Sequence, residues 1–349
     1  MPLVSVVTPC FEEEANVRLL YERIRDVFAT FFPDLEYEHL YIDNASTDRT
    51  VALVKKLCAE DKHVKLIVNA RNFGHIRSPF YGMMQAGGDA VILMASDLQD
   101  PPELIRDFIT KWRGGYKLVL GVKKQELNSP IMRIVRKKYY QLLAMLSDVK
   151  IVKDYTGFGL YDRQVIEELR VLHDSYPYLR GIISELGHEP ALVEFVKPPR
   201  RGGITHNNFY TLYDMAMLGI TNHSKVPLRL ATLLGFGLSV VSFAVAVAYL
   251  IYKLLFWNEF ALGVAPMILG LFFFGSVQLF FLGIVGEYVG AMHTQILARP
   301  LVIERERVNF AESVPVAGQP ARETGEGAGQ KAGPATGKES KGNDAAFRL

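Results

Sequence analysis

Short apolar runs alternate with helix-spaced segments from Met1 to about Ser224. "LVSVVTP", "YEHLYID", "VKLIVNA" and "DAVILMAS" each read as a strand. Between the first two lies "EANVRLLYERIRDVFATFF", with apolar residues at Val17, Leu20, Ile24, Val27 and Phe28, the spacing of one helix face. "STDRTVALVKKLCAE" opens a second helix after the second strand. This alternation predicts an α/β domain, a mostly parallel sheet with helices on both faces. Ligands of such sheets collect beyond the carboxyl ends of the strands.

The pattern then changes. Two long apolar segments run from about Leu228 to Phe256 and from about Leu262 to Val289. Each exceeds the roughly 20 residues that cross a bilayer. The connector "WNEF" holds no Lys or Arg, whereas Arg200, Arg201, Lys225 and Arg229 precede the pair and Arg299, Arg305 and Arg307 follow it. The positive-inside rule then places both ends of a transmembrane hairpin in the cytosol. Glu287, beside Tyr288, is read as an interfacial residue or as a polar contact within the membrane. After Ala311 the chain is rich in Gly, Ala, Lys, Glu and Pro, the composition of a disordered tail. The expected organisation is a cytosolic domain over 1–204, an interfacial amphipathic segment over 205–227 and two membrane helices over 228–290. A juxtamembrane return over 291–310 and the tail over 311–349 complete it.

Composition agrees with a chain that is part soluble and part membrane. Its 349 residues carry a formal net charge of +2, and mean hydropathy is +0.12. That balance argues against nucleic-acid binding. Two cysteines, Cys10 and Cys58, suit a reducing compartment rather than a disulfide framework. The start "MPLVSVVTPCFEEE" lacks a basic region followed by an apolar one, so it reads as no secretory signal.

The strand ends carry the chemistry. "VILMASDLQDPPEL" closes an apolar run with Ser96, Asp97, Gln99 and Asp100 and then two prolines. Read as an extended segment, Asp97 and Gln99 point to one side. Carboxylate and amide oxygens suit a hard divalent cation that keeps places open for phosphates. Asp100 is expected to cap the helix that Pro101 and Pro102 begin. The first strand ends in Pro9, Phe11 and Glu13, the second in Asp43 and Asn44, and the third in Arg71 and Asn72 beside Gly74. Asp43 can accept hydrogen bonds from a nucleobase or a ribose hydroxyl. Four consecutive strand ends with ligand groups exceed what helix capping needs.

These residues resemble the family 2 glycosyltransferases of the GT-A fold, in particular the polyprenyl-phosphate glycosyltransferases, dolichol-phosphate mannose synthase-like and bacterial undecaprenyl-phosphate sugar transferases. The likeness runs from about Leu3 to about Ile303. Pro-x-Tyr-Asn-Glu appears as Pro9-Cys10-Phe11-Glu12-Glu13, and Asp-Asp-x-Ser-x-Asp as Asp43 to Asp48. Arg-Asn-x-Gly is intact at Arg71 to Gly74. Asp-Ala-Asp-Leu-Gln-x-Pro-Pro-Glu runs from Ala95 to Glu103 with its first Asp replaced by Ala95. "KDYTGFG" resembles Asp-x-x-x-Gly-Phe-Arg with one spacer residue fewer, with Asp154 at the proposed base and Gly159 in place of the Arg. "RRGGITH" resembles Arg-x-x-Gly-x-Ser-Lys, with Arg200 and Gly203 matching and Thr205 and His206 differing.

The resemblance implies a GT-A, Rossmann-like domain with a two-helix membrane hairpin. It implies an inverting, metal-dependent transfer from a nucleotide diphosphate sugar, with UDP favoured, to polyprenyl phosphate for cell-envelope glycans. Pro9, Phe11, Glu13, Asp43, Asn44, Arg71, Asn72 and Ser96 would bind the donor nucleotide. Asp97 and Gln99 would bind Mg2+ or Mn2+, weakly without donor because of Ala95. Asp154, Asp97 and Arg200 would act in catalysis, and Arg200, Arg201 and His206 would hold the acceptor phosphate. The Arg pair reads equally as a basic patch at the membrane surface. "NNFYTLYDMAMLGI", with Phe209, Leu212, Tyr213 and Met217, would lie on that surface. The location implied is the bacterial inner membrane, multi-pass, with the domain and both termini cytosolic. Association through the hairpins, as a tetramer, follows by family analogy. Two spans are too few for a polysaccharide channel. Direct transfer to a glycan or another lipid, and a donor-binding scaffold without turnover, stand as alternatives.

Overall fold

The strands order themselves β7-β5-β6-β4-β1-β2-β3-β8 in one eight-stranded sheet. The structure, a computed structural model, describes residues 1–124, 152, 154–172, 174–196, 198, 226–256 and 264–310. The expected interfacial segment through 225, Arg200, Arg201, His206 and the tail lie outside these residues.

The first half builds as strand and helix in turn: β1 (Leu3–Cys10), α1 (Val17–Phe31), β2 (Glu36–Asp43), α2 (Thr50–Glu60), β3 (Val64–Asn69), α3 (Gly74–Gln85) and β4 (Ala90–Leu93). β1 pairs in parallel with both β2 and β4, and β2 in parallel with β3. A 3-10 turn at Pro102–Leu104 leads into α4 (Ile105–Arg113) and β5 (Leu118–Lys124). β6 (Tyr155–Asp162) lies antiparallel between β4 and β5. After α5 (Arg163–Val171) and α6 (Leu179–Glu185), β7 (Ala191–Val196) pairs in parallel with β5.

Both faces of the sheet are covered, which is why its strands read as continuous apolar runs. Along β4, Ala90 and Ile92 enter the core under α1 and α4, whereas Val91 and Leu93 enter the core under α3, α5 and α6. Tyr41, Leu66 and Val68 face α2 in a third cluster.

One carboxylate inside this sheet carries a measurable load. Glu38 is buried and accepts from Lys65 Nζ at 2.5 Å, Ser5 Oγ at 2.5 Å and the Gly87 amide at 2.7 Å. Burial pushes its carboxyl up, but these donors outweigh burial and hold it below the usual carboxylate range. A lowered folded pKa stabilises above the unfolded value and is lost as pH falls through the folded one. Glu38→Ala is expected to cost about 3 kcal/mol near neutrality, because it strands the Lys65 charge. Thermal unfolding in detergent should show the gap between wild type and variant shrinking on acidification. A gap unchanged at low pH would show the charge to be irrelevant.

The two apolar segments form α7 (Val226–Leu255) and α8 (Val264–Ile296), which touch one another. Val226–Tyr249 of α7 and Gly270–Ile296 of α8 are long and apolar enough to cross a membrane, and neither is buried inside the protein. Phe236, Phe243 and Phe272 stand 70%, 71% and 71% exposed. A core hairpin of a soluble protein would bury these rings. α8 continues to Ile296, past the boundary expected at 290.

The chain then rejoins the sheet. Ala70 donates to the Ile303 carbonyl at 2.8 Å, and β8 (Glu304–Val308) pairs antiparallel with β3. Lys55 meets Glu306 at 2.7 Å, and Arg307 meets Gln85 at 2.6 Å. Asn309 donates to the Cys58 and Val64 carbonyls. Gln295, in the last turn of α8, donates to Asp174 at 2.6 Å and accepts from the Ser175 amide at 3.1 Å.

Candidate active site

Register places every predicted site residue that the structure describes on one edge of the sheet. β1, β2, β3 and β4 end there at Cys10, Asp43, Asn69 and Leu93. β6 runs the other way, so its start, with Asp154 just before it, lies on the same edge. β8 also begins there. Asp43 and the loop carrying Asp97 are separated by β1, which is two strand spacings or about 10 Å.

Backbone strain marks the same edge. Of the six described residues other than glycine with positive φ, Glu12, Ala45, Leu98 and Asp154, at 56°, 64°, 58° and 61°, lie at this edge, while Ala298 and Asn309, at 42° and 62°, lie in the return segment and just after β8. Glu12, Ala45 and Leu98 sit in the loops that follow β1, β2 and β4, and Asp154 directly precedes β6. Such conformations persist where surrounding bonds over-determine them, and they cluster at functional sites.

The bonds responsible are visible. Glu12 N donates to Ser46 Oγ at 2.9 Å, Glu13 N to Thr50 Oγ1 at 2.9 Å and Glu14 N to Asp48 at 3.3 Å. They clamp the loop after β1 to the start of α2. Glu13 is itself buried and accepts from Asn16 at 2.6 Å. Pro9 and Phe11 are half-buried beside it.

Asp43 is fully buried, and its Oδ2 accepts from the Ser46 amide at 2.9 Å. Burial pushes its carboxyl above the ordinary range, while the Ser46 and Ala45 bonds and the charge of Arg305 pull it back. Arg305 belongs to β8. Only its positive charge was legible in the sequence, not its approach to Asp43.

Asn44 and Asn72, expected as donor ligands, use their amides to build the loop. Asn44 Oδ1 accepts from Phe73 N at 2.9 Å and Asn69 Nδ2 at 3.1 Å. Its Nδ2 donates to Asn72 Oδ1 at 2.8 Å and the Gly74 carbonyl at 3.3 Å. Asn72 Oδ1 also accepts from Gly74 N at 2.8 Å. Together they fix the β3–α3 loop, on which Arg71 is exposed and lies 4.2 Å over the Phe73 ring.

The segment after β4 is not extended. It turns at Ser96 and Asp97, with Leu98 left-handed. Asp97 Oδ1 accepts from the Gln99 amide at 3.1 Å, and Asp100 Oδ2 accepts from the Ala95 amide at 3.1 Å. Carboxylates that bond to amides two to five residues away favour such turns over strands. Asp100 therefore closes this loop and does not cap the following helix, which starts from Pro101 without a side-chain cap. Asp97 Oδ2, the Gln99 amide group and the Ser96 hydroxyl make no hydrogen bond among the described residues. Asp97 and Gln99 are half-buried and Ser96 is buried. No group of three His, Cys, Asp or Glu that could hold a metal occurs among the described residues. Open oxygens on a fixed turn fit a hard cation that draws its remaining ligands from phosphate.

Asp154 is half-buried in the turn before β6, and its carbonyl accepts from Lys123 N at 3.1 Å. Gly159, at the position of a motif Arg, lies inside β6 between Leu93 and Leu120. A Cβ there would meet the Val119 carbonyl oxygen at 2.5 Å.

The mixed, mostly parallel sheet with its acidic and amide groups at one edge is the GT-A fold, and the family model for glycosyl transferase family 2 matches residues 5–170. The SfII prophage-derived bactoprenol glucosyl transferase of Shigella flexneri is 33% identical over 301 residues, 86% of this chain and 96% of that protein. The uncharacterized glycosyltransferase YkcC of Bacillus subtilis is 33% identical over 300 residues, 86% of this chain and 92% of that one. The chain belongs to glycosyltransferase family 2. Among solved structures, glucosyl-3-phosphoglycerate synthase of Mycobacterium tuberculosis, with Mn2+, UDP and phosphoglyceric acid, is 19% identical. It covers 63% of this chain and 76% of its own, with a TM-score of 0.43.

Proposed function

We propose that the chain transfers a sugar, with inversion, from a nucleotide diphosphate sugar to polyprenyl phosphate in the bacterial inner membrane. One observation carries this reading. The strand-tip edge that gathers the polar groups is also the edge where the chain departs toward α7, after β7, and returns from α8, into β8. The bactoprenol glucosyl transferases, matched along nearly their whole length, support the lipid acceptor. A prenyl chain leaves the bilayer at about 0.8 kcal/mol per methylene, so the enzyme must come to its phosphate.

The donor lies along the strand tips. Asp43 accepts from the nucleobase or ribose, and Pro9, Phe11 and Glu13 wall that end. About 10 Å away, Asp97, Gln99 and Ser96 receive the diphosphate. Their oxygens would hold a divalent cation, Mg2+ or Mn2+, which supplies charge neutralisation for the departing diphosphate when bound. UDP is the donor nucleotide we favour. Arg200, Arg201 and His206 are the proposed holders of the acceptor phosphate. The catalytic domain and both termini lie on the cytosolic side in this reading, and the hairpins mediate self-association.

Asp154 orients the nucleophile. A phosphate monoester has a second pKa near 6, so its oxygen is already anionic at neutrality and needs no base. Asp154→Asn is therefore expected to lower turnover by about tenfold to a hundredfold and leave it measurable. Complete loss with donor binding intact would point instead to a hydroxyl acceptor. Incubating the purified protein with undecaprenyl phosphate and a panel of nucleotide sugars, then weighing the lipid product, tests the whole reading. Donor binding without any lipid product would sink it.

A further inference from the structure

A cavity of about 500 Å³ opens between the β3–α3 loop and the end of α8. Arg71, Phe73 and Arg77 line it from the catalytic domain, His293 and Thr294 from the last turns of α8, and Arg299 from the return segment. That volume lies within the range of small-ligand sites, about 300–1,000 Å³.

Its charge is unbalanced. Arg71, Arg77 and Arg299 make no ion pair with a carboxylate among the described residues, whereas Arg23, Arg49, Arg113 and Arg307 each find one. Arg77 Nε is buried and has no hydrogen-bond partner among the described residues. A desolvated guanidinium donor without an acceptor is costly, and native proteins rarely leave one so. The carbonyl end of α8 offers about half a negative charge, far less than three guanidinium groups. Bare surface arginines would spread into solvent. Here one lies 5.1 Å over the Tyr176 ring and another 4.2 Å over Phe73.

Position selects the anion. The second candidate span ends at Ile296, between Thr294 and Arg299. Given α7 and α8 as membrane spans, the cavity opens at the depth of lipid headgroups. Its Phe73, Leu297 and Pro300 walls are apolar, as contact with a glycerol or prenyl stem requires. The geometry points to a binding site for the phosphate of a membrane lipid, held by Arg77 and Arg299 with His293 beside them. Because Arg71 lines it and the Asn44–Asn72 bonds hold the Arg71 loop, the lipid would brace α8 against the nucleotide end of the sheet.

Delipidated full-length protein, reconstituted in nanodiscs and examined by native mass spectrometry, tests this without any turnover. The nanodiscs contain phosphatidylcholine alone, or with phosphatidylglycerol, or with undecaprenyl phosphate. Wild type should retain a phosphate lipid. Arg77→Gln with Arg299→Gln should retain it about tenfold less, since charge-assisted hydrogen bonds carry this binding. Arg299 is exposed, so Arg299→Gln alone keeps the test alive if the double variant fails to fold. Lysine at both positions should restore retention in part. Retention of undecaprenyl phosphate only would identify the acceptor as occupant. Retention of phosphatidylglycerol would identify bulk anionic lipid. Equal retention by wild type and Arg299→Gln, no retention of either lipid, or displacement by inorganic phosphate alone would overturn the site. Sugar transfer can fail while this lipid stays bound, so the two readings are separable.

Discussion

Asp97→Ala should lower kcat/KM for sugar transfer by about 10²–10³-fold while the protein still folds. Asp97 contributes one hydrogen bond to the structure, from Oδ1 to the Gln99 amide, and its removal loosens a turn without opening a cavity. Its Oδ2 is the open carboxylate oxygen of that turn. The motif position that could supply a second carboxylate is Ala95, so that position cannot make up for the loss. Groups aimed at charge that develops in the transition state are worth about this much when deleted. The effect should fall on kcat more than on donor affinity, because Asp43 and the β1 loop lie about 10 Å away across β1. Transfer assays beside nucleotide-sugar titration, with and without manganese, read both quantities. Activity within tenfold of wild type would remove Asp97 from the reacting diphosphate.

Gly159→Arg, which rebuilds the motif residue, should prevent recovery of folded enzyme. Even Gly159→Ala should lose about 3 kcal/mol or more, since the first added carbon meets the Val119 carbonyl oxygen at 2.5 Å and Leu120 Cα at 3.3 Å. Both contacts are on β5, and β4 closes the other side through Leu93, so neither strand can retreat without breaking its ladder. Thermal unfolding of Gly159→Ala in detergent, with expression of Gly159→Arg, measures this. The glycine is thus a packing requirement of this sheet and not a vacated ligand position. A Gly159→Arg enzyme with wild-type melting would refute the register of β6 against β5.

The strand ends were legible because strands buried on both faces are almost wholly apolar, so "LVSVVTP" and "YEHLYID" stop where polar groups begin. The turn at Ser96 to Leu98 was not, because no glycine announces the left-handed Leu98. The bond between Asn44 and Asn72 was not legible, because an amide at a strand tip does not announce a partner 28 residues away. β8 escaped as a strand because "ERERV" has no apolar alternation. It is an edge strand whose charges meet Lys55, Tyr81 and Gln85 on the neighbouring helices. The arginine-lined cavity escaped because its walls come from Arg77 and Arg299, which only the closed chain brings together.

The last strand of the sheet also sets an order of synthesis. Every other strand leaves the ribosome before α7, but β8 follows both hydrophobic helices. Until it arrives, β3 keeps an unpaired hydrogen-bonding edge, and Arg305 is missing beside Asp43. A nascent chain therefore finishes its sheet only after its anchor has been made. An enzyme clipped free before Val226 would be an incomplete sheet with a sticky border, not a water-soluble version of the same catalyst.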